Sequence, residues 1–432
     1  MKRFRRSLFA IAAFCAAVPC AHAAHDLTLA EVLTQAEKIS PQLNASRLQE
    51  KAAHEGVGVA KSAYAPVINA ESLDSWGYPG SSSALGIGGL MGSPYRSGVT
   101  VGLVATDTLF DFGRTYFSVK TAEQLEQLQR EGFQVDRYAI DLDVMRTFYA
   151  CSRFRSESEV WQGLHDETEL VAKEVDKYVA TGQRSVVDKY LAQAQVEEAQ
   201  TNGNYFGSRM SSTASRLALL TASTETARSC PALPDLGASV PLYTTGAANP
   251  YVRLSEAEVS LATSRLAQQK ADYLPKIIGV ASVGGMDRTR LVGREDYSGG
   301  LGVVLPLFDG LGTVHRVGEA RADLDAQTQQ LEAVRLAMEE DIARYDEVID
   351  ASKARIEHLQ REGKLAEDGF HVAKSRYFKF QGTLVDLRDA LKNLGRVETD
   401  MKDTQANMLE AEGSKALLNG ASPTAAGTQG GK

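Results

Sequence analysis

The sequence predicts a mainly α-helical chain with membrane β-strands, built as a tandem repeat of helix, strand, strand, long helix and helix. Three observations lead there. Only 12 of the 432 residues are proline, and none falls within 95–230 or 307–422. Helix interiors exclude proline, so stretches that long point to very long helices. The chain is also written twice: Leu109-Phe110-Asp111 recurs as Leu307-Phe308-Asp309 and Val187-Asp188 as Val385-Asp386, both offset by 198 residues. Upstream, Ser40-Pro41 and Tyr64-Ala65-Pro66 recur as Asn249-Pro250 and Tyr273-Leu274-Pro275, with the prolines 25 positions apart each time. Repeats of this kind signal duplicated architecture. Thirdly, two short segments alternate apolar and small or polar residues, which helices do not do.

The elements follow in chain order. Lys2, Arg3, Arg5 and Arg6 precede an apolar run from Leu8 to Val18 and the small-residue site Ala21-His22-Ala23. This reads as a secretory signal over 1–23, cleaved before Ala24. Cys20 follows Pro19 rather than a small residue, so the mature N-terminus is expected to be unlipidated. The first repeat then spans 24–230, a Pro/Gly-rich connector 231–249, and the second repeat 250–418. A Gly/Ala/Thr-rich tail, 419–432, is expected to be disordered.

Within each repeat a first helix, about 42–62 and 251–272, ends ahead of a proline. Strands are expected near 65–76, 96–109, 275–287 and 297–307. Val99, Val101, Leu103 and Ala105 share one face, and Leu301, Val303, Leu305 and Leu307 another. Alternation over about ten residues is the signature of a transmembrane β-strand, and Tyr95 and Tyr297 lie where an aromatic girdle would sit. A hairpin in a soluble sheet would alternate in the same way. The glycines at 86, 88, 89 and 92 lack the lysine and helix of a phosphate loop. They fall in an insertion of the first copy, read as an extracellular loop.

The long helices are expected from Gly113 to about Val179 and from Gly312 to about Phe378, rods of about 100 Å at 1.5 Å per residue. Val135, Tyr138, Leu142, Met145 and Tyr149 form a coiled-coil column, as do Met338, Ile342, Tyr345 and Ile349. Four strands cannot close a barrel around a pore, because closed barrels begin at about eight. Open edges cannot face lipid. Three chains would supply twelve strands, with the helices packed into a hollow cylinder below.

The formal charge of −8 argues against a nucleic-acid partner. Histidines are scattered without ligand spacing, so no metal, cofactor or catalytic residue is expected. Asp107, Asp111 and Asp309 suit helix caps better than catalysis. Two cysteines remain in the exported chain, Cys151 and Cys230, where oxidation favours a disulfide. If the tip turn lies near 181–185, both reach a similar height, about 46–55 Å up the rods.

The order and equal spacing of these elements, twice over, resemble the TolC-type outer-membrane efflux protein family. The tip sequences Val187-Asp188-Lys189-Tyr190-Leu191-Ala192 and Leu384-Val385-Asp386-Leu387-Arg388-Asp389-Ala390 belong to that likeness. The resemblance implies a homotrimer: a 12-stranded β-barrel in outer-membrane lipid on a coiled-coil α-barrel reaching into the periplasm. It implies a passive exit duct for tripartite efflux or type I secretion, with a periplasmic adaptor and an inner-membrane pump as partners. A periplasmic coiled-coil adaptor or scaffold without a barrel is the alternative.

By position, the resemblance makes Asp386 and Asp389 the carboxylates of a periplasmic constriction, with Asp188 as the first copy's counterpart of Asp386. Tyr377 falls where the family carries a gate tyrosine. The second copy departs from the pattern, with Phe380 in place of a turn glycine and Gly382 in place of a locking arginine. Arg184 of the first copy could supply the missing positive charge.

Overall fold

A computed structural model describes residues 28–76, 97–222, 230–235, 243–244, 248–286 and 295–422. The expected signal peptide with its cleavage site and Cys20, the first-copy insertion with Tyr95, and residues 423–432 lie outside the described residues. Two N-terminal helices, α1 (Leu29–Ile39) and α2 (Pro41–Lys61), lead through a 3₁₀ turn into strands β1 (Val67–Trp76) and β2 (Ser97–Phe110). The long α3 (Arg114–Ala180) and returning α4 (Val186–Thr221) complete the first copy. After β3 (Tyr243–Thr244), the second copy runs α5 (Pro250–Ala271), β4 (Lys276–Met286), β5 (Glu295–Val304), α6 (Gly312–Phe378), α7 (Leu384–Leu418) and β6 (Ala421–Ser422).

The repeated dipeptides explain the matching starts. Ser40 and Asn249 cap α2 and α5 with their side-chain oxygens, and the following proline takes the first helical position. There its missing N–H costs nothing. Asp111 and Asp309 do the same service at the strand-to-helix corners: Asp111 accepts from the Gly113 and Thr115 amides, Asp309 from that of Thr313. The Thr115 and Thr313 hydroxyls donate to the same carboxylates, and these hydrogen bonds, the hydroxyl ones foremost, outweigh burial and hold both carboxyls below the usual aspartate range.

Both long helices contain 67 residues. Gly132, Gly163 and Gly363 sit inside them without breaking them. Rod α3 packs along α4, α7, α5 and α2, while α6 packs along α7 and α5. Halfway up, Tyr138, Met145 and Tyr149 of the predicted column join Leu217, Leu409 and Leu417 in one core. Helix α1 adds Leu29, Val32, Leu33 and Ala36 to it and was not anticipated. Its sequence signal was present: Thr28 and Glu31 form a reciprocal capping box. Among the described residues, no helix is long and apolar enough to cross a membrane.

The four longer strands form one antiparallel sheet in the order β1-β2-β4-β5, so the two copies meet at its centre. Strand β5 stops at Val304, short of the expected 307, because Pro306 has no N–H to donate to a ladder. Register places Ile68, Leu103, Ala105, Ala281, Val283, Tyr297, Leu301 and Val303 on one face. Asn69, Glu71, Thr106 and Ser282 share the other. The tail is ordered at its start, contrary to expectation: Ala421 and Ser422 pair with Thr244 and Tyr243 in the connector.

Candidate functional site at the helix tips

The far ends of the rods carry two hairpin turns of the same backbone. Gln183 N–H bonds back to the Tyr178 carbonyl at 2.8 Å, and Gln381 N–H to that of Arg376 at 2.8 Å. Such a helix ending puts one residue in the left-handed region. In the first copy it is Gly182, with φ 74°; in the second it is Phe380, with φ 61°. A bulky side chain there costs about 1–2 kcal/mol, so its contacts must offset the strain.

Those contacts are with the first copy. The Arg184 guanidinium lies 4.2 Å from the Tyr377 ring centre and 4.9 Å from that of Phe380. Its Nη2 donates to the Tyr377 carbonyl and, at 3.3 Å, to the Gly382 carbonyl. Tyr178 meets the Phe380 ring edge-on at 5.3 Å. Tyr377 is fully buried and donates its hydroxyl to Asp188 Oδ2 at 3.0 Å. Burial, then the hydrogen bond to Asp188, raise its phenol well above the ordinary value. Leu384, Leu387, Val175 and Phe370 form an apolar base around it. Three of the five tip residues singled out from the sequence, Arg184, Asp188 and Tyr377, therefore meet in one lock between the two turns. Phe380, noted from the sequence as a departure, is part of it.

The other two stand apart. Asp386 is engaged as a cap: its Oδ2 accepts from Thr383 N–H at 3.0 Å and Thr383 Oγ1 at 2.8 Å. Those bonds, the backbone one foremost, hold its carboxyl below the ordinary range. Asp389 is exposed and ion-paired to Arg388 at 2.9 Å. Asp386 thus caps its own helix, whatever further part it plays at the entrance.

Higher up, Cys151 and Cys230 are bonded, with Cα atoms 5.3 Å apart. They pack against Ala214 and Met210, and the Cys230 carbonyl accepts from Arg155 Nη1 at 2.8 Å. Nearby polar groups are buried as well, and were not singled out from the sequence. Glu157 is 4% exposed, and burial pushes its carboxyl up to about 7. Arg153 lies 3.9 Å from it but makes its closer pair with Asp403, at 2.6 Å. Asp141 is buried in a similar arrangement with Arg137 and Glu37, and its carboxyl is likewise raised. No periodicity in a single sequence separates such carboxylates from exposed ones.

A family model described as outer membrane efflux protein matches residues 32–223 and 242–417. No curated protein matches the sequence. Among solved structures, the chain is similar to the outer membrane protein VceC from Vibrio cholerae, with a TM-score of 0.78 at 17% identity over 92% of this chain and 97% of that one. It is also similar to the Campylobacter jejuni CmeC outer membrane channel, with a TM-score of 0.76 at 13% identity over 92% and 87%. The open-state MtrE outer membrane channel of Neisseria gonorrhoeae gives 0.73 at 18% identity over 91% and 92%. At these identities the structural likeness establishes the fold.

Proposed function

As the chain belongs to the outer membrane efflux protein family, we propose that it is one protomer of a trimeric exit duct that a periplasmic adaptor couples to an inner-membrane pump. The protein is an outer-membrane efflux channel, a transport protein and not an enzyme. Transport through the duct is passive, with energy supplied by the pump, in tripartite efflux or in type I secretion.

The observation that carries the assembly is the four-stranded sheet with two free edges, β1 and β5. An open edge cannot lie in lipid, and closure by three chains satisfies every backbone group. The face carrying Leu103, Val283, Leu301 and Val303 turns to lipid, and the face with Asn69, Glu71 and Ser282 turns to the lumen. The helices continue from the sheet into the periplasm and end at the tips. There the Arg184–Tyr377–Asp188 lock holds the two hairpins of each protomer together as the closed gate. Asp389, one turn beyond Asp386, contributes the negative charge of the entrance.

Native mass measurement of the full chain in detergent tests the assembly. A trimer is expected, and a stable monomer overturns the reading. Reconstitution into planar bilayers tests the duct: stepwise conductance is expected, and its absence from correctly folded trimers counts against a channel.

A further inference from the structure

The apolar face of the sheet is dented. Asp107, Gly279 and Leu301 form one row across β2, β4 and β5, and Ala105, Ala281 and Gly299 form the next. The four small residues make the floor of a bowl of about 460 Å³, with Asp107 and Leu301 at opposite edges. Larger apolar side chains stand around it, Leu103 and Val283 on one side and Val303 on the other, each about half exposed or more. The floor stays low for a steric reason as well, since a Cβ at Gly279 would come within 3.2 Å of the Leu109 side chain.

Asp107 is the one charged residue among those lining the bowl, and among the described residues it has no partner. No described residue donates a hydrogen bond to the Asp107 carboxylate or pairs with it. It lies three residues before the end of β2 at Phe110, where the chain turns into α3. That is about 10 Å from the periplasmic end of the sheet, the depth at which lipid headgroups give way to chains. A bare carboxylate on a lipid-facing surface is costly unless a cation meets it.

We propose that the bowl binds a phospholipid with a primary-ammonium headgroup, its ammonium on Asp107 and its adjoining acyl chain across the Gly/Ala floor. The assignment rests on the duct reading, which turns this face to lipid. A primary ammonium supplies three N–H donors to the carboxylate. A quaternary ammonium has no N–H, and a glycerol headgroup has no positive charge. Charge-assisted hydrogen bonds of this kind are strong enough to discriminate about tenfold between headgroups.

The test is native mass spectrometry of the full-length protein, stripped of lipid in detergent and titrated separately with phosphatidylethanolamine, phosphatidylcholine and phosphatidylglycerol. Wild type is expected to retain phosphatidylethanolamine about tenfold better than the other two. Asp107→Asn should bring the three to parity without altering the oligomer. Ala281→Phe, which fills the bowl, should reduce retention of all three, whereas Ala70→Phe on the same face outside it should not. Parity in wild type, or a preference that survives Asp107→Asn, overturns the proposal. A chain that stays soluble without detergent and retains no phospholipid defeats the duct reading itself, and the proposal with it.

Discussion

Replacing Arg184 by alanine should open the gate proposed at the helix tips. The side chain makes two charged hydrogen bonds to carbonyls of the other hairpin, at Tyr377 and Gly382. It also stacks on two rings, 4.2 and 4.9 Å from their centres. Hydrogen bonds to a charged group contribute about 1.5–3 kcal/mol in burial, and each cation–π contact about 0.5–1 kcal/mol near the surface. Arg184 is half-buried, so the combined contribution to the closed state is about 2–4 kcal/mol. Its loss shifts the open-to-closed ratio by roughly 30-fold to nearly a thousandfold. Single-channel recording in planar bilayers reads this directly, as a rise in open probability with no change in trimer mass. Arg184→Lys should fall between, because an ammonium keeps the charge but lacks the planar guanidinium that stacks on both rings while donating to the carbonyls. Wild-type gating in Arg184→Ala would show that the contacts hold nothing closed.

Phe380→Ala keeps the left-handed backbone and loses the ring, whereas Phe380→Gly loses the ring and relieves the backbone. The alanine variant should therefore be the less stable of the two, by about 1 kcal/mol in thermal unfolding. Glu157 titrates near 7 when folded, well above an unfolded glutamate. Its contribution is complete below about pH 4 and is lost as pH rises through 7, so the melting temperature should fall over that window. Glu157→Gln should flatten the fall, and an unchanged slope would exclude this carboxyl as its source. Replacing Cys151 and Cys230 by serine opens a loop closed across 79 residues, worth about 4 kcal/mol in the chain-entropy model. Chemical unfolding should show that loss, and reductant should then leave the serine variant unaffected. Asp389→Asn alone should lower cation preference in bilayer recordings. Asp386→Asn should act mainly on stability, through the capping box at Thr383; the reverse pattern would return Asp386 to the lumen lining.

The backbone was legible in the sequence because its determinants are local and came in duplicate. Proline at 41 and 250, aspartate at 111 and 309, and the long intervals without proline mark element ends wherever they occur. Helix α1 was overlooked because the second copy offers no counterpart to compare it with, although Thr28 and Glu31 announce it. The tip was legible only in part. Tyr377, Asp188 and Arg184 could be named, but their meeting depends on how α3 and α6 lie against α4 and α7. The capping role of Asp386 was not separable from a lumen-lining one, because the two look alike in sequence. The buried Glu157 and Asp141 were hidden for a similar reason: on a rod with neighbours on several sides, a charged face need not be a wet one.

The duplication also explains why the lock has a direction. At the offset of 198, Gly182 matches Phe380, Arg184 matches Gly382 and Asp188 matches Asp386. The two turns share a backbone but not their side chains. The first copy supplies the cation and the acceptor, Arg184 and Asp188; the second supplies the rings and the hydroxyl, Phe380 and Tyr377. The reversed pairing has no chemistry to make it. Gly382 bears no charge, Val179 stands where Tyr377 would be, and Asp386 is bound to Thr383 of its own helix. In the proposed trimer, six hairpins of nearly equal shape therefore alternate between two kinds of seam, and only the seam within a protomer carries the lock. A change that loosens Arg184 frees one hairpin from its partner while the caps at Ser185 and Thr383 keep each turn folded. On the proposed assembly, opening needs no unfolding, only the separation of two rigid tips, and three-fold gating would follow from a nearly six-fold backbone.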